Sequence, residues 1–177
     1  GWAFGVQRLA IVSVTSATAG FISINLSSYT NYKNIKLEFW GITPLTNNDR
    51  LLARFSADGV TYNATSYNYA YQYCTGDTAT ILVRGATNAT TLELAFIVGN
   101  SVSVGGYNGS LDIIGFRQTT IWPKILFHGY WMDSQASPNN ITNSGGAAIE
   151  IAQPILGIQI LASSSGLNGG EIYVYGY

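Results

Sequence analysis

Charge is what this sequence lacks most. Lys, Arg, Asp and Glu together make up 10% of its 177 residues, against a usual share of about 25%. Disorder does not account for the shortage, because a disordered chain is poor in apolar residues and rich in charge. Here 47% of residues are hydrophobic, and Asn, Ser, Thr, Gly and Tyr stand where charges usually do. The eight basic residues, from Arg8 to Lys124, occur singly. No stripe of them exists to neutralise a phosphate backbone, which argues against nucleic acid as a partner. No apolar run approaches the ~18 residues of a membrane-spanning helix, so no membrane insertion is expected.

Cysteine and histidine are also scarce. Cys74 stands alone, which rules out an intrachain disulfide and a cysteine metal cluster. It reads as a packed or half-buried thiol, with an intermolecular disulfide as the alternative. His128 is the only histidine, in KILFHGYWMD. A catalytic base or metal ligand needs partners, so the plainer reading is a hydrogen-bonded histidine within a strand. The chain has no HExxH, nucleophile elbow or P-loop. No catalytic residue, metal or cofactor is implied. The opening GWAFGVQRLA carries no basic region followed by a long apolar one, so no signal peptide is expected. The absence of an initiator Met there suggests processing or missing upstream residues.

What the sequence does have is a rhythm of two. Ile35, Leu37 and Phe39 alternate with Lys36 and Glu38, and Leu92, Leu94 and Phe96 surround Glu93. Alternation puts one set of side chains on each face of a strand. Strands are expected near 6–14, 20–26, 34–43, 50–56, 66–73, 78–84, 91–98, 109–116, 122–131, 147–152, 155–162 and 170–177. Turn signals punctuate them: Asp58-Gly59, Gly105-Gly106, Asn108-Gly109, Gly145-Gly146 and Gly169-Gly170. Many short strands with no helical stripe predict one all-β domain over residues 1–177, a two-sheet antiparallel sandwich of jelly-roll type. DSQASPNNITNSGG, residues 133–146, reads as a long surface loop.

Candidate sites follow from the aromatics and acids. SYNYAYQY places Tyr67, Tyr69, Tyr71 and Tyr73 on one strand face, and YWMD adds Tyr130 and Trp131 near Asp133. Tyrosine rows serve strand packing or subunit contacts, and aromatic faces beside Asn and Asp can also hold sugar rings. Tyr130, Trp131, Asp133, Tyr69 and Tyr71 are therefore the binding candidates, for glycan or subunit contact. Two convergent carboxylates would make a glycosidase, but the nine acids are dispersed and several sit on polar strand faces. The single carboxylate of FSADGVTYNA suits a tight turn better than a calcium loop. Five Asn-x-Ser/Thr sequons, beginning at Asn25, are a mild excess for so Asn-rich a chain and are not read as glycan carriers.

Two stretches carry a resemblance. LLARFSADGVTYNATSYNYAYQY, from Leu51 to Tyr73, and ILGIQILASSSGLNGGEIYVYGY, from Ile155 to Tyr177, are similar to bacteriophage virion proteins variously described as tail, fibre or head-decoration components. That group has an LRxSxDGGxxY hairpin, a GxIxI strand and a terminal IxxxxSSGNxxxGxIxLYG pattern. Gly109 to Ile113 stands at the middle strand. Ser163, Ser164, Ser165, Gly166, Gly170, Ile172, Tyr175 and Gly176 match the terminal pattern. Val60 replaces the second hairpin glycine, and Leu167-Asn168 replaces the usual Gly-Asn order. The resemblance implies a non-enzymatic jelly-roll module on a virion surface, typically a homotrimer, in contact with other virion proteins and contributing to host attachment. A carbohydrate-binding module that grips host-surface glycan is the alternative. Ile172 and Val174 would then face the core and Tyr173, Tyr175 and Tyr177 would face outward, with residues 163–170 as a hairpin.

Overall fold

A computed structural model describes residues 5–15, 20–76, 80–101, 103, 106–133 and 139–177. The described residues form twelve strands: β1 (Gln7–Val14), β2 (Phe21–Asn25), β3 (Ile35–Pro44), β4 (Asp49–Ser56), β5 (Tyr67–Thr75), β6 (Ile81–Ala89), β7 (Leu92–Val98), β8 (Tyr107–Ile114), β9 (Lys124–Met132), β10 (Asn140–Ile149), β11 (Gly157–Ala162) and β12 (Leu167–Gly176). Each expected strand has its counterpart. Residues 78 and 79 of the expected sixth strand lie outside the described residues, as do Asp77 and Gly105.

The strands form two antiparallel sheets packed face to face. The larger has the order β1-β12-β3-β8-β9-β10-β5-β6, and the smaller β2-β11-β4-β7. Setting aside β5, β6, β9 and β10 leaves eight strands. Renumbered in chain order, these run 1-8-3-6 in one sheet and 2-7-4-5 in the other. Pairing first with last, and so inward to the middle, is the jelly-roll connection. The four remaining strands are two insertions that extend the large sheet beyond β8.

Period two in the sequence becomes inside and outside. Ile35, Leu37 and Phe39 of β3, Leu111 and Ile113 of β8, and Ile172 and Val174 of β12 are buried. They meet Ile22, Ile24, Ala53, Phe55, Ile158 and Ile160 from the small sheet in one apolar cluster. Asn143 of β10 donates from Nδ2 to the Leu94 carbonyl of β7 at 2.6 Å, a hydrogen bond between the sheets. Such a bond satisfies polar groups that could not otherwise be buried without cost.

Several turn expectations are corrected. Asp58-Gly59 is a tight turn: Asp58 Oδ1 accepts from Ser56 Oγ at 2.7 Å, Val60 N at 2.8 Å and Thr61 N at 2.7 Å. Those bonds, led by the Ser56 hydroxyl, hold its carboxyl well below the usual range. Asn108-Gly109 and Gly145-Gly146, however, lie inside β8 and β10. An added Cβ at Gly129 would strike the Tyr107 ring, one at Gly109 the His128 carbonyl and the Gly129 backbone, and one at Gly145 the Tyr71 Cβ and the Ala70 carbonyl. Gly129 makes room for a tyrosine ring in the core, and Gly109 and Gly145 for the close approach of the neighbouring strand. Gly169-Gly170 is a bulged part of β12, where the register against β3 shifts and Gly170 takes φ +113° beside Gly41.

Two larger corrections concern the loop and the hairpin. Of the expected loop 133–146, residues 134–138 lie outside the described residues. Residues 140–146 belong to β10, which pairs along its length with both β9 and β5. Residues 163–170 are no hairpin either, because β11 belongs to the small sheet and β12 to the large one. The segment crosses between sheets, and Asp49 anchors it. This buried carboxylate accepts from the hydroxyls of Ser163, Ser164 and Ser165 and from the backbone N–H groups of Arg50 and Ser164. Burial pushes the Asp49 carboxyl up, but the bonds from Ser163, Arg50 and Ser164 outweigh it and leave the group below its ordinary 3.8.

Candidate functional site

The large sheet presents an outer face eight strands wide. Strand register aligns one residue from each of its eight strands into a single row: Ile11, Tyr173, Glu38, Ser110, His128, Ser144, Gln72 and Val83. A second row beside it runs through Tyr175, Lys36, Asp112, Leu126, Gly146, Ala70 and Gly85. Trp40 and Tyr130 stand at the other side of the first row, Trp40 being paired with Glu171 and Tyr130 with Asn108.

A shallow groove of about 260 Å³ opens on this face, lined by Lys36, Glu38, Trp40, Asn108, Ser110 and His128 among others. Trp40 is 60% exposed, and its ring meets Tyr173 edge-on with centroids 6.3 Å apart. Tyr173 in turn donates its hydroxyl to Glu171 at 2.6 Å, which raises the phenol pKa. Lys36 Nζ lies 2.8 Å from Glu38 Oε1. That contact holds the ammonium above its ordinary 10.5 despite partial burial. Charge in the groove is thereby balanced locally.

His128 is exposed within β9, as the plainer sequence reading has it, and its Nδ1 lies 3.3 Å from Ser110 Oγ. The pair is not arranged as the serine and histidine of a Ser-His-Asp triad. Ser110 is only 3% exposed, although it contributes to the groove lining. In the row it sits between the acid and the histidine, whereas a triad requires the histidine in the middle.

The binding candidates from sequence separate here. Tyr130 is exposed on the outer face, where its hydroxyl donates to Asn140 Oδ1 at 2.9 Å. Its neighbour Trp131 alternates inward and is fully buried, with Phe96 and Tyr107 against its ring. Asp133 is buried too, and accepts from the Asn139 backbone at 2.9 Å. Adjacent residues on a strand cannot share a face, so Tyr130, Trp131 and Asp133 form no common platform.

Tyr69 and Tyr71 belong to a row that faces the small sheet. Tyr69 is half-buried and stacks on Tyr71, which packs edge-on against Phe127. The Tyr71 hydroxyl donates to Glu93 Oε1 at 2.5 Å. Arg84 donates to the same carboxylate at 2.7 Å and lies over the Phe96 ring. Burial, then the Glu93 bond, pushes the Tyr71 phenol far above its ordinary 10.0. This row packs around an ion pair, with Tyr67 and Tyr71 buried and Tyr69 and Tyr73 half-buried. Cys74 is half-buried, as read from the sequence.

The terminal tyrosines divide as expected between faces. Ile172 and Val174 are buried, whereas Tyr173 and Tyr175 are half-buried on the outer face. Tyr177 is held by its own chain: its backbone bonds to Lys33 and Asn34, and its hydroxyl donates to Asp112 at 3.1 Å. Sequence reading missed Trp40 and the Lys36–Glu38 pair. The signal was present in KLEFW, where Lys36, Glu38 and Trp40 occupy the alternate polar positions and a tryptophan takes the place of a solvated residue. No family model matches this chain, and no curated protein or solved structure matches it.

Proposed function

We propose that this chain is a non-enzymatic structural module of a bacteriophage particle surface, a fibre or decoration subunit that assembles with copies of itself as a homotrimer. The observation that carries the reading is the apolar exposure of the large sheet. Val83 is 80% exposed and Ile81 67%, both on the edge strand β6, and Ile11 and Leu126 are exposed on the same outer face. Edge strands are normally guarded by charge, proline or cover. In β6 the one charged residue, Arg84, is drawn inward to Glu93. A net charge of −1 adds little repulsion between copies. The similarity of Leu51 to Tyr73 and Ile155 to Tyr177 to virion surface proteins supplies the setting, with other virion proteins as further partners and host attachment as a further role.

Assembly is driven in this reading by apolar burial, worth about 25 cal/mol per Å² before the costs of association. Light scattering coupled to size exclusion is the direct test. The expected result is a trimer mass that falls to monomer in a Val83→Asp, Leu126→Asp variant. A stable wild-type monomer at micromolar concentration overturns the reading. The carbohydrate-recognition alternative loses Trp131, Asp133 and Tyr71 as ligands but is favoured by one observation, the aromatic-rimmed groove at Trp40.

A further inference from the structure

We propose that the groove between Trp40 and His128 binds a neutral hexopyranose unit of a glycan. The inference deepens the carbohydrate-recognition alternative by naming its residues and its sugar class. Three observations select this occupant. The first is the fixed aromatic wall: Trp40 is 60% exposed yet braced by the edge of Tyr173 at 6.3 Å. A braced indole face in water is matched by the C–H face of a pyranose ring, which is apolar in body and polar at its rim.

The second is charge. Lys36 and Glu38 pair at 2.8 Å within the lining. An anionic or cationic ligand would have to break that pair, whereas a neutral one leaves it intact. The third is the polar floor. Glu38 accepts, Lys36 donates, and the Ser110 contact at 3.3 Å occupies His128 Nδ1 and leaves Nε2 for a ligand. Sugar hydroxyls donate and accept together, so a floor of both kinds suits them. The opening of about 260 Å³ is shallow, on the outer face of a sheet, and suits one ring of a longer glycan.

Saturation-transfer difference NMR tests the site, with methyl glucopyranoside, methyl galactopyranoside and methyl mannopyranoside as neutral probes and sialyllactose as the anionic one. The expected result is transfer to the ring C–H protons of at least one neutral probe. Affinity should fall ~10-fold or more in Trp40→Ala and stay within about threefold in Trp40→Phe. His128→Ala should weaken binding several-fold while leaving the thermal midpoint in place, since both side chains are exposed. A neutral sugar that binds Trp40→Ala as well as wild type overturns this site and leaves glycan recognition elsewhere on the module standing. Transfer to sialyllactose alone overturns the neutral assignment. No transfer from any probe overturns both the site and the carbohydrate reading, and leaves trimer formation to be judged by its own mass measurement.

Discussion

Gly129 and Gly145 each occupy a place where a side chain would run into a tyrosine. A Cβ at Gly129 would overlap the Tyr107 ring, and one at Gly145 would overlap Tyr71. Tyr107 is fully buried, and its ring has no space to retreat in a close-packed interior; at Gly145 the atoms in the way are the Cβ and backbone of Tyr71, which cannot turn aside. Gly129→Ala should therefore cost about 2–3 kcal/mol in urea unfolding. Combining it with Tyr107→Leu should recover part of that loss, giving a coupling energy that a pair of independent sites would not show. This is also why Asn108-Gly109 and Gly145-Gly146 misled as turns. Glycine is chosen both where backbone must bend and where a neighbouring strand or ring must fit, and only the partner strand distinguishes the two. Trp131 and Tyr130 show the opposite case. The sequence reading grouped them as one binding site, although alternation along β9 sends Tyr130 outward and Trp131 into the core.

At the scale of the element, β10 was the hardest to read. Its sequence, NITNSGGAAI, has few of the branched and aromatic residues that strands favour. What makes it a strand is its position between β9 and β5, both of which pair with it in full register, with the bond from Asn143 to Leu94 beneath. Such long-range pairing leaves little trace in a local window. The serine run before β12 has a local trace but an undeclared purpose. Ser163, Ser164 and Ser165 converge on Asp49, far away in sequence. Replacing all three by alanine should cost roughly 2–4 kcal/mol, since a buried carboxylate loses its donors. The pH dependence follows the sign of the Asp49 shift. Its folded pKa is lowered, so its contribution is present above the unfolded value of 3.8 and lost as pH falls through the folded value. Stability of the triple variant should accordingly fall less steeply than that of wild type between about pH 5 and pH 3. A denaturant series across that range measures it.

On the scale of the whole molecule, the two-sheet class and most of the described strands were legible because period two is a local property, with β10 the exception over residues 140–146. The division of strands between sheets was not, and the expected hairpin at 163–170 failed on that account. The interior is unusually phenolic. Burial pushes Tyr67 up to about 12 and takes Tyr71 and Tyr107 higher still. A raised folded pKa gives stability that is complete below the unfolded value of 10.0 and is lost as pH rises through the folded values. Thermal midpoints should hold to about pH 9.5 and then drop steeply. Tyr67→Phe should lower the midpoint at neutral pH, because Phe55 N loses its acceptor, and should flatten the alkaline fall. The arrangement of the insertions has a temporal meaning as well. β6 bonds only to β5, β5 leans on β10, and β9 joins β10 to the eight-stranded frame at β8. The tyrosine hairpin, synthesised earlier, can meet β4 and β7 through the Tyr67–Phe55 and Tyr71–Glu93 bonds, but its place in the large sheet depends on β10, which is complete only when the chain has reached Ile149. The outer end of the large sheet is thus the part whose strand pairing requires the longest stretch of chain, running from β8 through β9, β10 and β5 to β6.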